Sequence, residues 1–337
     1  MLARSSILRH PSGTTLKTPL LVPSFSSKGF RFDKKKISEI KDIFRNTAEV
    51  LFESMLVSAY DIYYGHLPQP KKFPCSPSLT IIDSGGYETG VDHDFSTIYK
   101  YVYKTQIWEL RHLYKVLDSW PIQIPAVFVS FDKDSAGKSI STQLDNARAL
   151  FSRYPGQLHN FLIKPTRKCK NNLSNTIKLI QPVIKEFGAF HIIGVTEKEL
   201  GDTVLDRMET IALLRRSLDD VGVLSPIQVF GALDPLSSSL YFLSGAEIFD
   251  GLSWLRFAYS NGYCIYRPNY GVLKIGIDVQ NDPLEARILS DNYYEMKRLQ
   301  LSMQDFVGTT DFLKLEPHAE ILRKAKDSLA SRIGGDV

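Results

Sequence analysis

The stretch "PIQVFGALDPLSSSLYFLSGAEIFDG", residues 226–251, reads as a strand, a helix and a second strand. "PIQVFGALD" and "AEIFDG" are short apolar runs, and Leu236–Leu243 between them has helical character. Nearly continuous apolar strands joined through a helix indicate a parallel sheet covered on both faces. The same alternation extends outward from this unit. "PLLVPSF", "VLFESMLVSAY", "SLTIIDSGG", "PAVFVSFD", "HNFLIKP" and "AFHIIGVT" precede it in order. Eight such runs favour an α/β fold of the closed (β/α)8 TIM-barrel type over an open doubly wound sheet. No GxGxxG follows the first run, which argues against a dinucleotide-binding fold.

The intervening stretches are amphipathic. Helices are expected over Lys36–Val50, Phe95–Leu117, Leu173–Phe187 and Glu197–Leu218, with Gly188 stopping the third. Ser141 is expected to cap a further helix running to Tyr154. Beyond residue 250, "YSNGYCIYRPNYGVL" has the pattern of an extra hairpin. Leu284–Leu313 and Glu316–Ala330 then form a C-terminal helical extension. The resulting division is a flexible lead-in over 1–16, a barrel over 17–313, and a C-terminal helix and tail over 314–337.

The 337 residues are 43% hydrophobic, enough for one large core, and the net charge of +4 gives no strong single-sign field. Cys75, Cys169 and Cys264 are far apart, so neither a disulfide framework nor a closely spaced structural zinc site is expected. That usage fits a reducing, cytoplasmic compartment. No run approaches the ~20 apolar residues of a membrane span. The opening "MLARSSILRHPSGTTLKTP" has basic residues and serines but no acid, a composition shared with transit peptides; Pro11 and Gly13 favour a disordered or strand-like lead-in.

In a barrel of this kind the active site lies at the C-terminal ends of the strands. The third run ends at Asp83-Ser84-Gly85-Gly86, the fourth at Asp132, the fifth at Lys164, the sixth at Gly194, the seventh at Gly231 and the eighth at Asp250. Three carboxylates, a lysine and several glycines would share one mouth. Two carboxylates facing one pocket suit glycosyl chemistry, one attacking an anomeric carbon and the other handling protons at the leaving group. Asp250 suits the nucleophile and Asp83 the acid/base. Asp132 suits a planar donor pair such as the N1–H and amino group of guanine, and Tyr87 and Phe230 suit a clamp on a ring. Each has a plainer reading. Asp250 at a strand end caps a following helix, Asp132 is a turn residue, Tyr87 and Phe230 pack in the core or rim, and Lys164 with "TRKCK" belongs to a solvated loop.

Several segments also resemble one family. "TIIDSGGYETG" is similar to the D-S-G-G-[FY]-Q signature of tRNA-guanine transglycosylases, and "GAEIFDGLSWLR" to the segment ending in that family's F-D nucleophile. "VFVSFDKD", "HIIGVTEKE", "QVFGALDP" and "KTPLLVPSFSSKGF" resemble its other strands in the right order, over roughly Lys17–Phe312. The resemblance implies a (β/α)8 barrel in which Asp250 forms a covalent glycosyl intermediate and Asp83 is the general acid/base. It further implies that Asp132 reads the Watson–Crick side of the purine and that Tyr87 and Phe230 sandwich the base. Ser84, Gly194, Gly231 and Lys164 would line the base site.

The departures carry information as well. Glu88 stands where the family has glutamine, "LIKPTRK" replaces its Gln-Gly segment, and "LSWLRFAYSNG" replaces the P-T-R-x-x-R-N-G run after the nucleophile. The C-x-C-x2-C…H zinc subdomain is absent, so neither a metal nor a cofactor is expected. The chain is thus similar in kind to the zinc-lacking bacterial enzymes that insert a 7-deazaguanine such as preQ0 or preQ1 into DNA. DNA is the favoured polynucleotide and tRNA the alternative, with partner proteins for substrate delivery. A glycosylase and a non-catalytic nucleic-acid-binding barrel are the other readings. Lys34–Lys36, Lys71, Lys72, Arg167, Lys168, Lys170 and Arg256 are candidate phosphate contacts; as a plainer reading, such residues are simply solvated.

Overall fold

A computed structural model of the chain describes residues 2–34, 36–74, 77–90, 105–133, 135–167, 173–278 and 280–335. Eight strands close into a parallel barrel. These are β3 (Leu20–Phe25), β4 (Ser54–Ser58), β5 (Leu79–Asp83), β6 (Ala126–Val129), β7 (Leu158–Leu162), β8 (Ile192–Thr196), β9 (Ile227–Phe230) and β10 (Ile248–Gly251). Neighbours in sequence are neighbours in the sheet, and β10 returns to pair with β3, with Asp250 opposite Val22 on one side and Phe230 on the other. All eight runs read from the sequence are therefore strands.

Alternation along each strand separates two cores. Leu20, Val22, Leu56, Leu79, Ile81 and Val129 point into the barrel with their counterparts from the other strands. Leu21, Phe25, Met55, Val57, Ile82 and Phe128 point outward into the larger core shared with the helices. Before the barrel, β1 (Ile7–Arg9) and β2 (Thr15–Lys17) pair as an antiparallel hairpin. Leu8 and Leu16 join the inner cluster, and His10 Nε2 meets Gln157 Oε1 at 2.9 Å. Residues 2–16 thus form a floor under the strand starts and belong to the barrel's packing.

The helices are α1 (Ile40–Thr47), α2 (Ala59–Tyr64), α3 (Gly86–Thr89), α4 (Leu110–Ser119), α5 (Ile140–Phe151), α6 (Leu173–Ile180), α7 (Val204–Asp220) and α8 (Pro235–Leu243) around the barrel. After it come α9 (Ser253–Arg256), α10 (Arg267–Lys274), α11 (Asn281–Thr309) and α12 (Ala319–Ile333). Several helix boundaries differ from expectation: α1 covers only Ile40–Thr47 of Lys36–Val50, α5 ends at Phe151 and not Tyr154, and α11 and α12 are Asn281–Thr309 and Ala319–Ile333 in place of Leu284–Leu313 and Glu316–Ala330. The α5 cap is Ser139, whose hydroxyl accepts from the Thr142 amide, and not Ser141, which lies inside the first turn. Residues 105–109 are not helical and α4 starts only at Leu110, where Glu109 and His112 form a reciprocal cap; residues 95–104 of the expected Phe95–Leu117 helix lie outside the described ones. After Ile180 the chain tightens into a 3-10 helix over Gln181–Ala189, because Pro182 supplies no amide. That helix runs one residue beyond Gly188. Within the expected Glu197–Leu218 stretch, only a 3-10 turn precedes α7, whose cap is Thr203 paired reciprocally with Asp206.

The hairpin past the barrel is present as β11 (Ala258–Ser260) and β12 (Tyr263–Ile265). Its turn residues Asn261 and Gly262 both have positive φ, 51° and 79°, as a type I′ turn requires. Asn292 of α11 accepts from the Tyr259 amide and donates to the carbonyls of Trp254 and Phe257. The long helix thereby fixes the segment that follows Asp250. α12 packs against α7 and α8. Among the described residues, no helix is long and apolar enough to cross a membrane.

Candidate active site

Asp250 lies within β10, points into the barrel and is 4% exposed. Its Oδ2 accepts from Gln228 Nε2 at 2.6 Å and its Oδ1 from Ser24 Oγ at 3.3 Å. The Gly231 amide also donates to it. It caps nothing: α9 starts after Leu252 without a side-chain cap. The helix-cap reading is therefore set aside by geometry. Burial pushes the Asp250 carboxyl up to about 7, opposed by the Gln228 hydrogen bond and aided by the nearby charge of Asp83.

Asp83 ends β5 and is also buried. Its Oδ2 accepts from the Gly85 amide at 3.1 Å, a local turn contact. Burial first, then the charges of Glu88 and Asp132, hold its carboxyl well above the usual range. The charge of Asp83 thus reaches Asp250 inside one barrel.

Asp132 and Lys164 lie past their strands, since β6 ends at Val129 and β7 at Leu162. Asp132 Oδ1 accepts from Ser84 Oγ at 2.6 Å, and Lys164 Nζ is 4.0 Å from its Oδ2. Lys164 is 9% exposed and committed elsewhere, 2.7 Å from Glu199 and 3.2 Å from Thr196 Oγ1. Burial opposes its charge, but Asp132, Glu199 and Asp83 together raise its pKa. The solvated-loop reading of Lys164 is thereby corrected. Lys164 is an internal counter-ion to the acids.

The glycine pair after Ser84 has a definite cause. Gly85 sits at φ 86°, and a Cβ there would run into Trp108 and Tyr60. A Cβ on Gly86 would fall 2.0 Å from Asp132 Oδ1. The charged group that this backbone approaches is Asp132 itself. Ser84 is fully buried, its hydroxyl on Asp132 and its carbonyl accepting from Trp108 Nε1 at 2.8 Å. Its hydroxyl is spent on holding the Asp132 carboxylate.

Gly194 lies inside β8, where a Cβ would meet Asn160 Oδ1 at 2.7 Å and Phe230 at 2.8 Å. Its small size lets those two side chains pack. Gly231 needs its glycine for φ 88°, with open space before it. Phe230 is 9% exposed and belongs to the inner cluster. Tyr87 is half-buried, with Lys28 Nζ 4.2 Å from its ring centroid and donating to the Tyr87 carbonyl at 2.7 Å.

The candidate phosphate contacts divide. Arg256, half-buried in α9, donates to the Lys28 carbonyl at 3.0 Å and belongs to the mouth. Arg167 is exposed and lines, with Ser139, Thr166 and Val183, a cavity of about 520 Å³ on the same face. Lys71 and Lys72 are exposed beside Phe73, which packs on Trp120 at the end of α4 where the chain returns to the strand starts. They lie away from the mouth. Lys35, Lys168 and Lys170 are outside the described residues, as are Cys75 and Cys169. Among the described residues, no cluster of His, Cys, Asp and Glu is arranged to hold a metal.

Several site residues have no signal in a single strand's pattern. Ser24, Asn160 and Gln228 are inward positions on β3, β7 and β9, and only barrel closure brings the last two beneath Asp250. Asp61 and Glu88 form a second buried acid pair behind Asp83. Asp61 accepts from the Ser27 amide at 2.6 Å and Glu88 from Ser26 Oγ. Burial pushes each to about 7, aided at Glu88 by Asp61 and at Asp61 by Asp83. No protein-family model matches the chain, and no curated protein matches it.

Proposed function

We propose that this barrel is a pentosyltransferase that exchanges guanine in a polynucleotide, DNA in preference to RNA, for a 7-deazaguanine. The observation that carries this reading is the state of Asp250: a buried carboxylate in a barrel mouth, held at both oxygens, within reach of the Asp83 charge and engaged with no helix end. The similarity of "DSGGY" and "FDG" to the transglycosylase segments supplies the substrate class.

Two carboxyls whose environments push them apart take different proton roles. Burial raises both, Asp83 well above the ordinary range and Asp250 to about 7; in this reading Asp83 carries the proton and Asp250 the charge. The target nucleotide is extruded from its stack, since its glycosidic bond is inaccessible there. An Asp250 oxygen attacks C1′, the C1′–N9 bond breaks with its electron pair going to guanine, and Asp83 supplies the proton that guanine takes up. Asp132 accepts from the purine's N–H donors while Tyr87 and Phe230 bound the ring. The incoming base then gives its N9 proton to Asp83, N9 attacks C1′, and the Asp250 ester bond breaks. Atoms and charge balance over the cycle, with no redox partner. The tRNA-specific parts of the family pattern are missing from the sequence, which favours DNA.

The test is a trapping assay with labelled DNA and, separately, labelled tRNA, each with 7-cyano- or 7-aminomethyl-7-deazaguanine. A denaturant-resistant adduct with DNA, absent in Asp250→Asn, is the expected result. An adduct with tRNA alone would move the substrate to RNA, and a free abasic site without base incorporation would make the protein a glycosylase. No adduct and no base release with either polymer would overturn the reading.

A further inference from the structure

Among the inward-facing strand positions of the described residues, Asn160 and Gln228 are the two side-chain amides, and they lie in contact directly below the mouth. Asn160 on β7 and Gln228 on β9 are both fully buried and both point inward among Val129, Leu162 and Ile192. Asn160 Nδ2 donates to Gln228 Oε1 at 2.7 Å, and Gln228 Nε2 donates to Asp250 Oδ2 at 2.6 Å. Placing two primary amides in such a core costs free energy unless their hydrogen bonds are made. Three of the four amide ends involved are spent in one direction, toward the carboxylate. Asn160 Oδ1, the remaining end, faces the Cα of Gly194 and Phe230, with no hydrogen-bond partner among the described residues.

The polarity of the chain is set by chemistry. An ionised carboxylate only accepts, so Gln228 must turn its NH2 to Asp250 and its carbonyl to Asn160. Asn160 must then donate. If Asn160 could not donate, the Gln228 amide would be free to invert and present its oxygen to Asp250, a repulsive contact. Gly194 completes the arrangement, since any side chain there would displace Asn160. The groups facing Asp250 are then Gln228 from β9, Ser24 from β3, the Gly231 amide after β9 and the acid Asp83 from β5.

We propose that Gln228, locked in one amide orientation by Asn160, is the positioning residue that fixes the rotamer and hydrogen-bond polarity of the Asp250 carboxylate. The proposal rests on Asp250 being the nucleophile of the reaction above, but the lock itself is measurable without any reaction. Neither amide touches the substrate. Their effect is on how the attacking oxygen is aimed, and a small misplacement of a reacting atom is costly in rate.

The experiment uses the full-length chain with 13C-labelled aspartate, and the Asp250 carboxyl signal is assigned by its loss in Asp250→Asn. Gln228→Met and Asn160→Leu keep approximate volume and remove the donors. Each is expected to move the Asp250 titration midpoint to higher pH, and the double variant to move it no further than Gln228→Met alone, because Asn160 acts only through Gln228. In the trapping assay at pH 7, Gln228→Met should form adduct about 100-fold more slowly, with base affinity unchanged. An Asp250 titration that is the same in the wild type and both single variants overturns the proposal. So does an additive double variant, which would mean two independent packing effects. If Gln228→Met does not fold, the Asn160→Leu titration decides alone. A shifted titration in a protein that forms no adduct with any polymer would instead reject the transglycosylase reading and leave the lock in place.

Discussion

The Ser84 hydroxyl reaches across from the end of β5 to donate to Asp132 Oδ1 at 2.6 Å, joining two loops of the mouth through one short hydrogen bond. Gly86 presses against the same carboxylate, and Lys164 stands at 4.0 Å from its other oxygen. Asp132 is thereby fixed before any base arrives. Hydrogen bonds to charged groups contribute about 1.5–3 kcal/mol, so Ser84→Ala should lower the affinity for guanine or a 7-deazaguanine about tenfold while the chain stays folded. Calorimetric titration of the base into wild type and variant measures this. Equal affinities would mean that Asp132 does not depend on Ser84.

Asp250→Asn separates chemistry from architecture. Asparagine keeps the shape and can still accept from Gln228, so the barrel should fold. It cannot form a glycosyl ester, so adduct formation should disappear while base affinity stays within about twofold. Burial raises the wild-type carboxyl to about 7, which means its charged form is costly at pH 8. The variant should therefore melt no lower than wild type at that pH. Loss of folding in the variant would make Asp250 a structural residue.

Much of this was legible because a parallel barrel writes its strands as apolar runs and its mouth at their ends. Asp83 and Asp250 close two such runs, and both sit in the mouth. Asp132 and Lys164 were placed at strand ends but lie two or three residues beyond, since the apolar pattern of "FVSF" and "FLI" continues past the last ladder pair. The amide pair was not legible: Asn160 and Gln228 are 68 positions apart, and their contact exists only after closure. Ser84 and Gly194 enter the base site only through the family resemblance; what the folded chain adds is that Ser84 seats Asp132 and that Gly194 leaves room for Asn160 and Phe230. The floor hairpin was half legible: Ile7-Leu8 and Leu16 are too short as apolar runs to mark strands by themselves, and of the disordered and strand-like readings of this lead-in the paired strands bear out the second.

Lys164 is the counter-ion most exposed to test by substitution. Its side chain is 11% exposed and that of Glu199 is 20% exposed, 2.7 Å away. Removing one member of a buried pair leaves the other charge uncompensated and typically costs about 3–5 kcal/mol. Lys164→Met should lower the unfolding free energy by roughly that amount in urea denaturation. Adding Glu199→Gln should recover a large part of the loss. A single variant as stable as wild type would show that solvent, and not Lys164, compensates Glu199.

Stability should also fall as the solution becomes alkaline. Burial raises Asp61, Glu88 and Asp250 each to about 7, from ordinary values of 3.8, 4.5 and 3.8. The folded chain therefore holds protons that the unfolded chain has released, so the stabilisation is full below about 4 and is lost as pH rises through about 7. His66, lowered to about 4 by burial, acts oppositely, but only between that pH and its ordinary 6.5. Above 6.5 the three carboxylates dominate. The melting temperature should be higher at pH 6.5 than at pH 8.5, and Asp61→Asn should flatten the difference by keeping one of the three groups neutral throughout. A melting temperature that rises between those two pH values would show that the buried acids are not protonated in the folded chain, and would remove the proton inventory on which the roles of Asp83 and Asp250 depend.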